Sequence, residues 1–316
     1  MYDKNKRLPE FSIVITAYNR ERYILRAIQS CIQQNYDDFE VIVVDDCCTD
    51  NTYKVASASG DSRVRIIRHS SNRGGTAGRN TGALAAKGAW VIHLDSDDEI
   101  LPGALKTIAH LTSTAPEDVS RFNFMFQRDD GRVSPSPVSG NQVVGYAGYL
   151  RWLDGLALYD FLPCTKRDTF ETVRYPENRW SDQFLYHLDF ARVFRTALRE
   201  EIVAMVHTDA ANRSSYLRRD SKYSRSNAAE LGKDMDALFA RHEAALRHYA
   251  PRLHKMFRRM RTAYHFLAGE RRAGVRQGLE CIRATPLLPE PWLLLGIGVV
   301  NAKALATVRS WKGPAN

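Results

Sequence analysis

No stretch of the chain reaches the roughly 18 consecutive apolar residues that a membrane-spanning helix needs. The longest candidate, Trp292 to Val300, is about half that length, so the chain is not expected to cross a bilayer. Cysteine is scarce: there are five, an odd count, and Cys47 and Cys48 are adjacent. No leader-like apolar run precedes the first predicted strand, so a disulfide framework is not expected and a reducing cytoplasm fits best. The chain has no Gly-x-Ser-x-Gly nucleophile elbow and no Gly-Lys-Ser/Thr phosphate loop, which argues against serine hydrolase and P-loop chemistry. Nine histidines show no metal-ligand spacing, and His93, inside a predicted strand, reads as a packed residue. No internal repeat is present.

What the chain does have is an ordinary globular composition. Its 316 residues are 44% hydrophobic, enough for one large core or two modest ones. The formal charge is +9, with much of the excess late, in Arg252 to Arg261 and Glu270 to Arg276. Aromatic residues are sparse there, which disfavours nucleic acid. Two readings of the tail remain: a helical hairpin packed on the rest of the chain, or a peripheral contact with an anionic membrane.

The first half alternates short β-rich runs with amphipathic stretches. Phe11–Thr16, Phe39–Val44, Val64–Arg68 and Ala89–Leu94 read as strands; Glu21–Gln34, Asn51–Ser59 and Thr76–Lys87 read as helices. Alternation of this kind predicts an α/β fold with a mainly parallel sheet covered on both faces. Later segments predict strands at Ser120–Arg128, Leu158–Thr165, Ile202–Thr208 and Ala211–Leu217, and helices at Tyr146–Leu153 and Ser181–Phe190. Beyond about Ser226 the pattern is helical, chiefly Ala228–Tyr249 and Leu253–Leu267.

In parallel sheets ligands sit beyond the carboxyl ends of the strands. Here those ends are polar: Thr16 to Asn19, Asp45-Asp46, and Asp95-Ser96-Asp97-Asp98. The last run concentrates carboxylates at a strand exit, an arrangement that a hydrated divalent cation would neutralise. The competing reading is a solvated turn, or a cap on the helix from Pro102. The segment Asn72-Arg73-Gly74-Gly75, running through Gly78-Arg79-Asn80, gives backbone freedom and a cation near a helix start. It follows the third strand and is not a Gly-x-Gly-x-x-Gly dinucleotide site.

These motifs, Ser12 to Arg20, Val41 to Asp46 with Thr49-Asp50, Asn72 to Gly75, Gly78 to Asn80 and Leu94 to Asp98, closely resemble the family 2 inverting nucleotide-sugar glycosyltransferases. The resemblance covers about residues 10–225 in order and spacing. It implies a GT-A type, mostly parallel sheet flanked by helices, with a helical C-terminal extension. The implied catalytic domain is 1–226, with a nucleotide-binding half at about 10–115 and an acceptor-side half at about 116–226; the extension is 227–316.

By resemblance, Asp97 and Asp98 are the metal candidates, for Mn2+ or Mg2+, and Asp95 either faces the nucleotide ribose or stands behind the metal-holding acids. Asp46 implies recognition of the base, with Thr16 and Tyr18 lining its pocket; the plain reading of this pair is turn and packing. Arg79 matches a basic residue near the phosphates or ribose, against a simple ion pair. Asp182 matches the catalytic base, with Ser181 where the family usually has Glu; the alternative is electrostatic support of a helix start. Arg218, in Tyr216 to Ser224, matches a segment that closes over the diphosphate, against an ordinary basic loop. Cys47-Cys48 stands where the family has Gly or Asn and then Ser, which puts the geometry of that turn in question.

The expected function is metal-dependent inverting transfer from a nucleotide sugar, a UDP sugar in the first instance, to a glycan or lipid-linked acceptor. The expected setting is bacterial surface polysaccharide assembly, in the cytoplasm or at the inner face of the cell membrane. A nucleotidyltransferase and a non-catalytic nucleotide-sugar binding module are the alternatives.

Overall fold

A computed structural model describes residues 8–137, 140–157, 159–178, 183–209, 225–284 and 289–300. The expected strand Ala211–Leu217, together with Asp182 and Arg218, lies outside the described residues.

One ten-stranded sheet organises the chain, in the order β3-β2-β1-β4-β9-β6-β10-β5, with β7 beside β6 and β8 beside β10. Its first half holds β1 (Phe11–Ala17), β2 (Phe39–Asp45), β3 (Val64–Arg68) and β4 (Trp90–Asp95), all parallel. The helices between them are α1 (Ile24–Ile32), α2 (Thr52–Ser57) and α3 (Gly75–Ala85). Two-sided burial explains the nearly unbroken apolar character of β1, β2 and β4. On one face Phe11, Ile13, Ile15, Val41, Val43 and Ile92 pack against Ile24, Ala27, Ile28 and Cys31 of α1. Those four recur at helical spacing, which is why this stretch coils. α1 begins three residues later than expected; before it, the Glu21 side chain accepts hydrogen bonds from Asn51 N and Nδ2 at the entry to α2.

On the other face Val14, Ile42, Val44 and Val91 meet α3. The approach is close: a Cβ placed on Gly82 would lie 2.2 Å from Val14 Cγ1. Only glycine lets this helix bear directly on β1.

Past α4 (Ala104–Ser113) the sheet becomes mixed. β6 (Val119–Arg128) runs parallel to β10 (Arg195–Val206), and β9 (Leu162–Lys166) lies antiparallel between β4 and β6. β5 (Glu99–Ile100), β7 (Val133–Ser134) and β8 (Gln142–Val144) are short antiparallel additions. β9 starts later than expected, at Leu162. β10 starts seven residues before Ile202, because the charged run Arg195 to Glu201 masks its strand character in the sequence.

α5 (Tyr146–Gly155) and α6 (Phe184–Val193) cover the second half on the α3 side. Upon them pack α7 (Arg225–Tyr249), α8 (Pro251–Leu267), α9 (Arg271–Ala284) and α10 (Pro289–Val300). One apolar cluster joins Tyr149, Leu150 and Leu153 of α5 and Leu185 and Leu188 of α6 to Leu231, Met235, Phe257, Phe266 and Leu294 of the tail. Of the two readings of the tail, packing on the preceding fold is observed.

Beneath α6 lies a polar layer. His93, 3% exposed, stands edge-on to Phe170 and Tyr175 with neither ring nitrogen hydrogen-bonded. His187, on α6, contacts Arg121 NH1 through Nδ1 at 3.2 Å. Burial drives both imidazoles well below the ordinary range, with nearby arginines adding to the effect.

Both histidines therefore stay neutral in the fold and charge only on unfolding. An unfolded chain takes up these protons below about pH 6.5 while the fold does not, so stability falls as pH drops below that value, by about 1.4 kcal/mol per pH unit for each imidazole. Denaturant titrations between pH 7.5 and 5 on wild type and His93→Leu should show a shallower decline in the variant. Parallel curves would mean that His93 is protonated within the fold.

Candidate active site

Register aligns the strand exits. Thr16 lies opposite Asp95 across β1 and β4, and Ala17 lies opposite Asp45 across β1 and β2. The polar tails of three strands therefore emerge on one edge, as the sequence implied.

Asp46 follows β2 directly and is 3% exposed. Its Oδ1 accepts from Arg73 N and meets His69 Nδ1, and its Oδ2 accepts from Gly74 N, each at 2.8 Å. Three of roughly four carboxylate lone-pair positions thus have protein partners. This acid anchors the loop that starts α3. Gly74 there has φ +91°, a backbone conformation that favours glycine. Asp45 is fully buried, accepting from Cys48 N at 2.7 Å and pairing with Arg68 Nε at 3.1 Å.

Cys47 has φ +61°, in the left-handed region that Gly and Asn enter readily. The turn expected of Gly or Asn is therefore kept despite the cysteine. Cys48 Sγ accepts from Asn19 N at 3.3 Å, the bonding a serine hydroxyl would also offer. Burial raises the Cys48 thiol to about 12, so it stays protonated. Thr16 is half-buried against Gly78 of α3, and Tyr18 is 39% exposed at the edge.

Arg79 joins the two halves of the fold. Its NH2 donates to Asp95 Oδ1 and its NH1 to Gln183 Oε1, both at 2.6 Å, and its guanidinium carbon lies 5.7 Å from the Tyr175 ring centre. The ion-pair reading of Arg79 is thus observed, although the arginine is not superficial: its side chain is 11% exposed against 54% for Asp95. Burial alone would lower the Arg79 pKa; Asp95 more than offsets this, and the group is raised.

The acid run after β4 is divided among partners. Asp95 goes to Arg79. Asp97 and Asp98 are buried, at 7% and 3% exposure. Asp98 Oδ1 accepts from His207 N at 3.2 Å, and Asp97 O accepts from Arg26 NH2 at 2.7 Å. Glu99 meets His207 Nε2 at 2.7 Å and Arg26 Nε at 3.5 Å. Arg26 also forks onto Asp209, at 3.0 and 3.1 Å. Burial pulls Arg26 down, yet Asp209, Glu99 and Asp97 hold it above its ordinary value. The crowding of negative charge is relieved within the chain, so it does not by itself demand a metal. Among the described residues no group of three or more Asp, Glu, His or Cys side chains converges as a metal site.

Arg26, His207, Asp209, Gln183 and Tyr175 are the site-edge residues that sequence reasoning missed. Gln183 and Tyr175 stand in the segment around Asp182 and the other three outside any motif, and all act through contacts distant in sequence. Thr16, Tyr18, Asp46, Arg79, Asp95, Asp97 and Asp98 gather at the one edge; Asp182 and Arg218 lie outside the described residues.

The mixed α/β sheet flanked by helices, with acids at the carboxyl ends of its strands, has the GT-A type fold of its structural neighbours. S. aureus TarS 1–349 in complex with UDP-GlcNAc shares it, with a TM-score of 0.61 at 17% identity over 94% of this chain and 89% of that chain. Residues 12–154, a little under half of the chain, match the model of glycosyl transferase family 2. The succinoglycan biosynthesis protein ExoO of Rhizobium meliloti is 38% identical over 126 residues, 40% of this chain and 36% of that protein. The Escherichia coli UDP-Glc:alpha-D-GlcNAc-diphosphoundecaprenol beta-1,3-glucosyltransferase WfaP is 31% identical over 118 residues, 37% of this chain and 47% of that protein. These matches span less than half the length of either relative.

Cys47→Gly should relieve the left-handed strain and stabilise the fold by about 1 kcal/mol. Equilibrium unfolding measures it, and a loss of stability would show that the cysteine side chain contributes more than its backbone costs.

Proposed function

We propose that this chain is an inverting, metal-dependent glycosyltransferase that moves a sugar from a UDP sugar to a hydroxyl of a glycan or lipid-linked acceptor, in the assembly of a bacterial surface polysaccharide. The observation that carries the reading is the aligned edge: Thr16, Asp46 and Asp95 at three strand exits, with Arg79 linking Asp95 to Gln183, next in sequence to Asp182. Support for the donor and acceptor classes comes from the names of TarS and WfaP, which include UDP-GlcNAc, UDP-Glc and a diphosphoundecaprenol.

Tyr18 offers an exposed ring to stack on a base, and Asp46 orders the loop beneath it. Asp95 and Arg79 address the ribose and phosphates. Carboxylate oxygens are the hard ligands that Mg2+ and Mn2+ prefer, and such ions typically take one or two carboxylates and complete their shell with phosphate and water. Asp97 and Asp98 fit that role; a bound ion would stabilise the charge that develops on the leaving diphosphate. Asp182 takes the proton of the acceptor hydroxyl as its oxygen attacks opposite the leaving group. Arg218 closes over the diphosphate and excludes water.

No helix among the described residues is long and apolar enough to cross a membrane. Peripheral contact at the inner membrane face is supported by Trp292 and Leu293 on α10, 55% and 57% exposed, and by exposed Arg271, Arg272 and Arg276 on α9.

UDP release from a panel of nucleotide sugars, with and without manganese, tests the reading. Release of diphosphate from a nucleoside triphosphate would point instead to a nucleotidyltransferase. Asp182→Asn should keep nucleotide binding and lose at least about a hundredfold in transfer, and near-normal turnover would reassign the base. Asp98→Ala should weaken UDP binding in manganese by calorimetry; unchanged affinity would remove Asp98 from the metal site.

A further inference from the structure

A relay of three polar side chains runs from α3 to the end of β2. His69 stands one residue past β3, where its backbone N–H donates to Asp45 O at 2.9 Å and prolongs the ladder between β2 and β3. Its side chain is 5% exposed. Nδ1 meets Asp46 Oδ1 at 2.8 Å, and Nε2 meets Thr81 Oγ1 of α3 at 2.9 Å. A carboxylate only accepts, so the hydrogen of the neutral ring lies on Nδ1 and Nε2 accepts from the threonine hydroxyl. The contact at one ring nitrogen sets the role of the other, and Thr81 in this way holds the imidazole to its task from behind.

The relay ends on an acid with one acceptor position left. Asp46 N donates to Ala17 O at 2.9 Å, so the acid follows Asp45 just as Tyr18 follows Ala17, the register partner of Asp45. Oδ1 serves both His69 and Arg73 N, and Oδ2 serves Gly74 N. One of about four lone-pair positions therefore remains, on Oδ2. Arg73 and Gly74 belong to a single loop; the imidazole is the one partner that comes from backbone bonded into the sheet ladder. It is the contact that keeps the carboxylate from turning with that loop.

We propose that His69, backed by Thr81, is a positioning residue that sets the base selectivity of the donor site: it leaves Asp46 one aimed acceptor position, which takes the ring N–H of uracil and refuses cytosine. The proposal rests on the nucleotide-sugar reading above. Cytosine carries an acceptor where uracil carries that N–H, and two acceptors facing each other in a dry contact both stay unsatisfied. The amino group of cytosine lies one atom further round the ring. A fixed carboxylate does not follow it, whereas a carboxylate free to turn would.

The test uses the full chain and reads UDP and CDP binding by calorimetry in manganese. Wild type should bind UDP at least about tenfold tighter than CDP. His69→Gln keeps a polar group for Thr81 near the place of Nε2 and leaves nothing at the place of Nδ1. It should weaken UDP about tenfold while CDP stays within about twofold of wild type, so the ratio collapses. His69→Asn sets an amide nitrogen near the place of Nδ1 and gives up Thr81; it should keep most of the ratio. Thr81→Val should narrow the ratio about threefold.

A wild-type ratio in His69→Gln overturns the proposal. So does an equal loss for both nucleotides, which marks a purely structural role, and so does a ratio lost as fully in His69→Asn as in His69→Gln. If His69→Gln does not melt cooperatively, Thr81→Val decides, and an unchanged ratio there overturns the proposal. A wild type that binds CDP as tightly as UDP overturns it as well. If wild type binds UDP selectively but transfers no sugar, the transferase reading fails and the ratios alone judge His69; if it binds neither nucleotide, both fail.

Discussion

The guanidinium of Arg79 is the contact on which the arrangement of the site depends. It arises from α3, whose glycine face brings it down onto β1, and it reaches Asp95 at the end of β4 and Gln183 at the start of α6. A lysine would supply the charge but not two divergent donors in one plane. Because its side chain is largely shielded while Asp95 is half-exposed, the pair is not a buried one in the strict sense. Its importance is geometric: it ties α3, on the parallel half of the sheet, to the end of β4 and to the start of α6.

A second arginine shows the contrary solution. Arg121, on the central strand β6, is fully buried, and no described carboxylate pairs with it. Its contacts are His187 Nδ1, Thr196 Oγ1 at 3.3 Å, and the faces of Phe190 and Tyr149, whose ring centres lie 4.2 and 5.1 Å from the guanidinium carbon. Cation–π attraction strengthens when the ion is desolvated, and the weakly hydrated guanidinium is the cation best suited to such a place. Its charge in turn helps keep His187 neutral. The layer under α6 is therefore polar yet short of anions, and its proton balance makes the fold sensitive to acid.

Legibility from sequence follows the range of the interactions involved. β1, β2 and β4 were readable because burial on both faces writes nearly unbroken apolar runs into the chain, and their motif ends were readable because they are contiguous. β10 was half hidden: four of the seven residues from Arg195 to Glu201, which pair with β8 and β6, are charged, and charge disguised the strand. The partners of the acid run were not legible at all. Arg26 stands some seventy residues before Asp97, and His207 more than a hundred after Asp98, so no local pattern ties either to its acid. The protein partners of Asp46 were equally hidden, since His69, Arg73 and Gly74 stand between β3 and α3, more than twenty residues further along the chain.

That last case bears on how acids at a strand edge divide their work. A carboxylate with several backbone N–H donors is rigid, and rigidity suits a group that orders a loop. Asp95 and Asp46 represent two ends of this range: one half-exposed and held by a single side chain, the other buried and held by two backbone amides and an imidazole. The acids of the β4 exit are likewise set apart, with Asp95 turned to Arg79, Glu99 to His207, and Asp97 and Asp98 buried between. What began as a crowd of like charges is, in three dimensions, a row of separately supported groups, and the supports come from α1, α3 and the end of β10. A mutation in any of those supports therefore reaches the site without touching a motif residue.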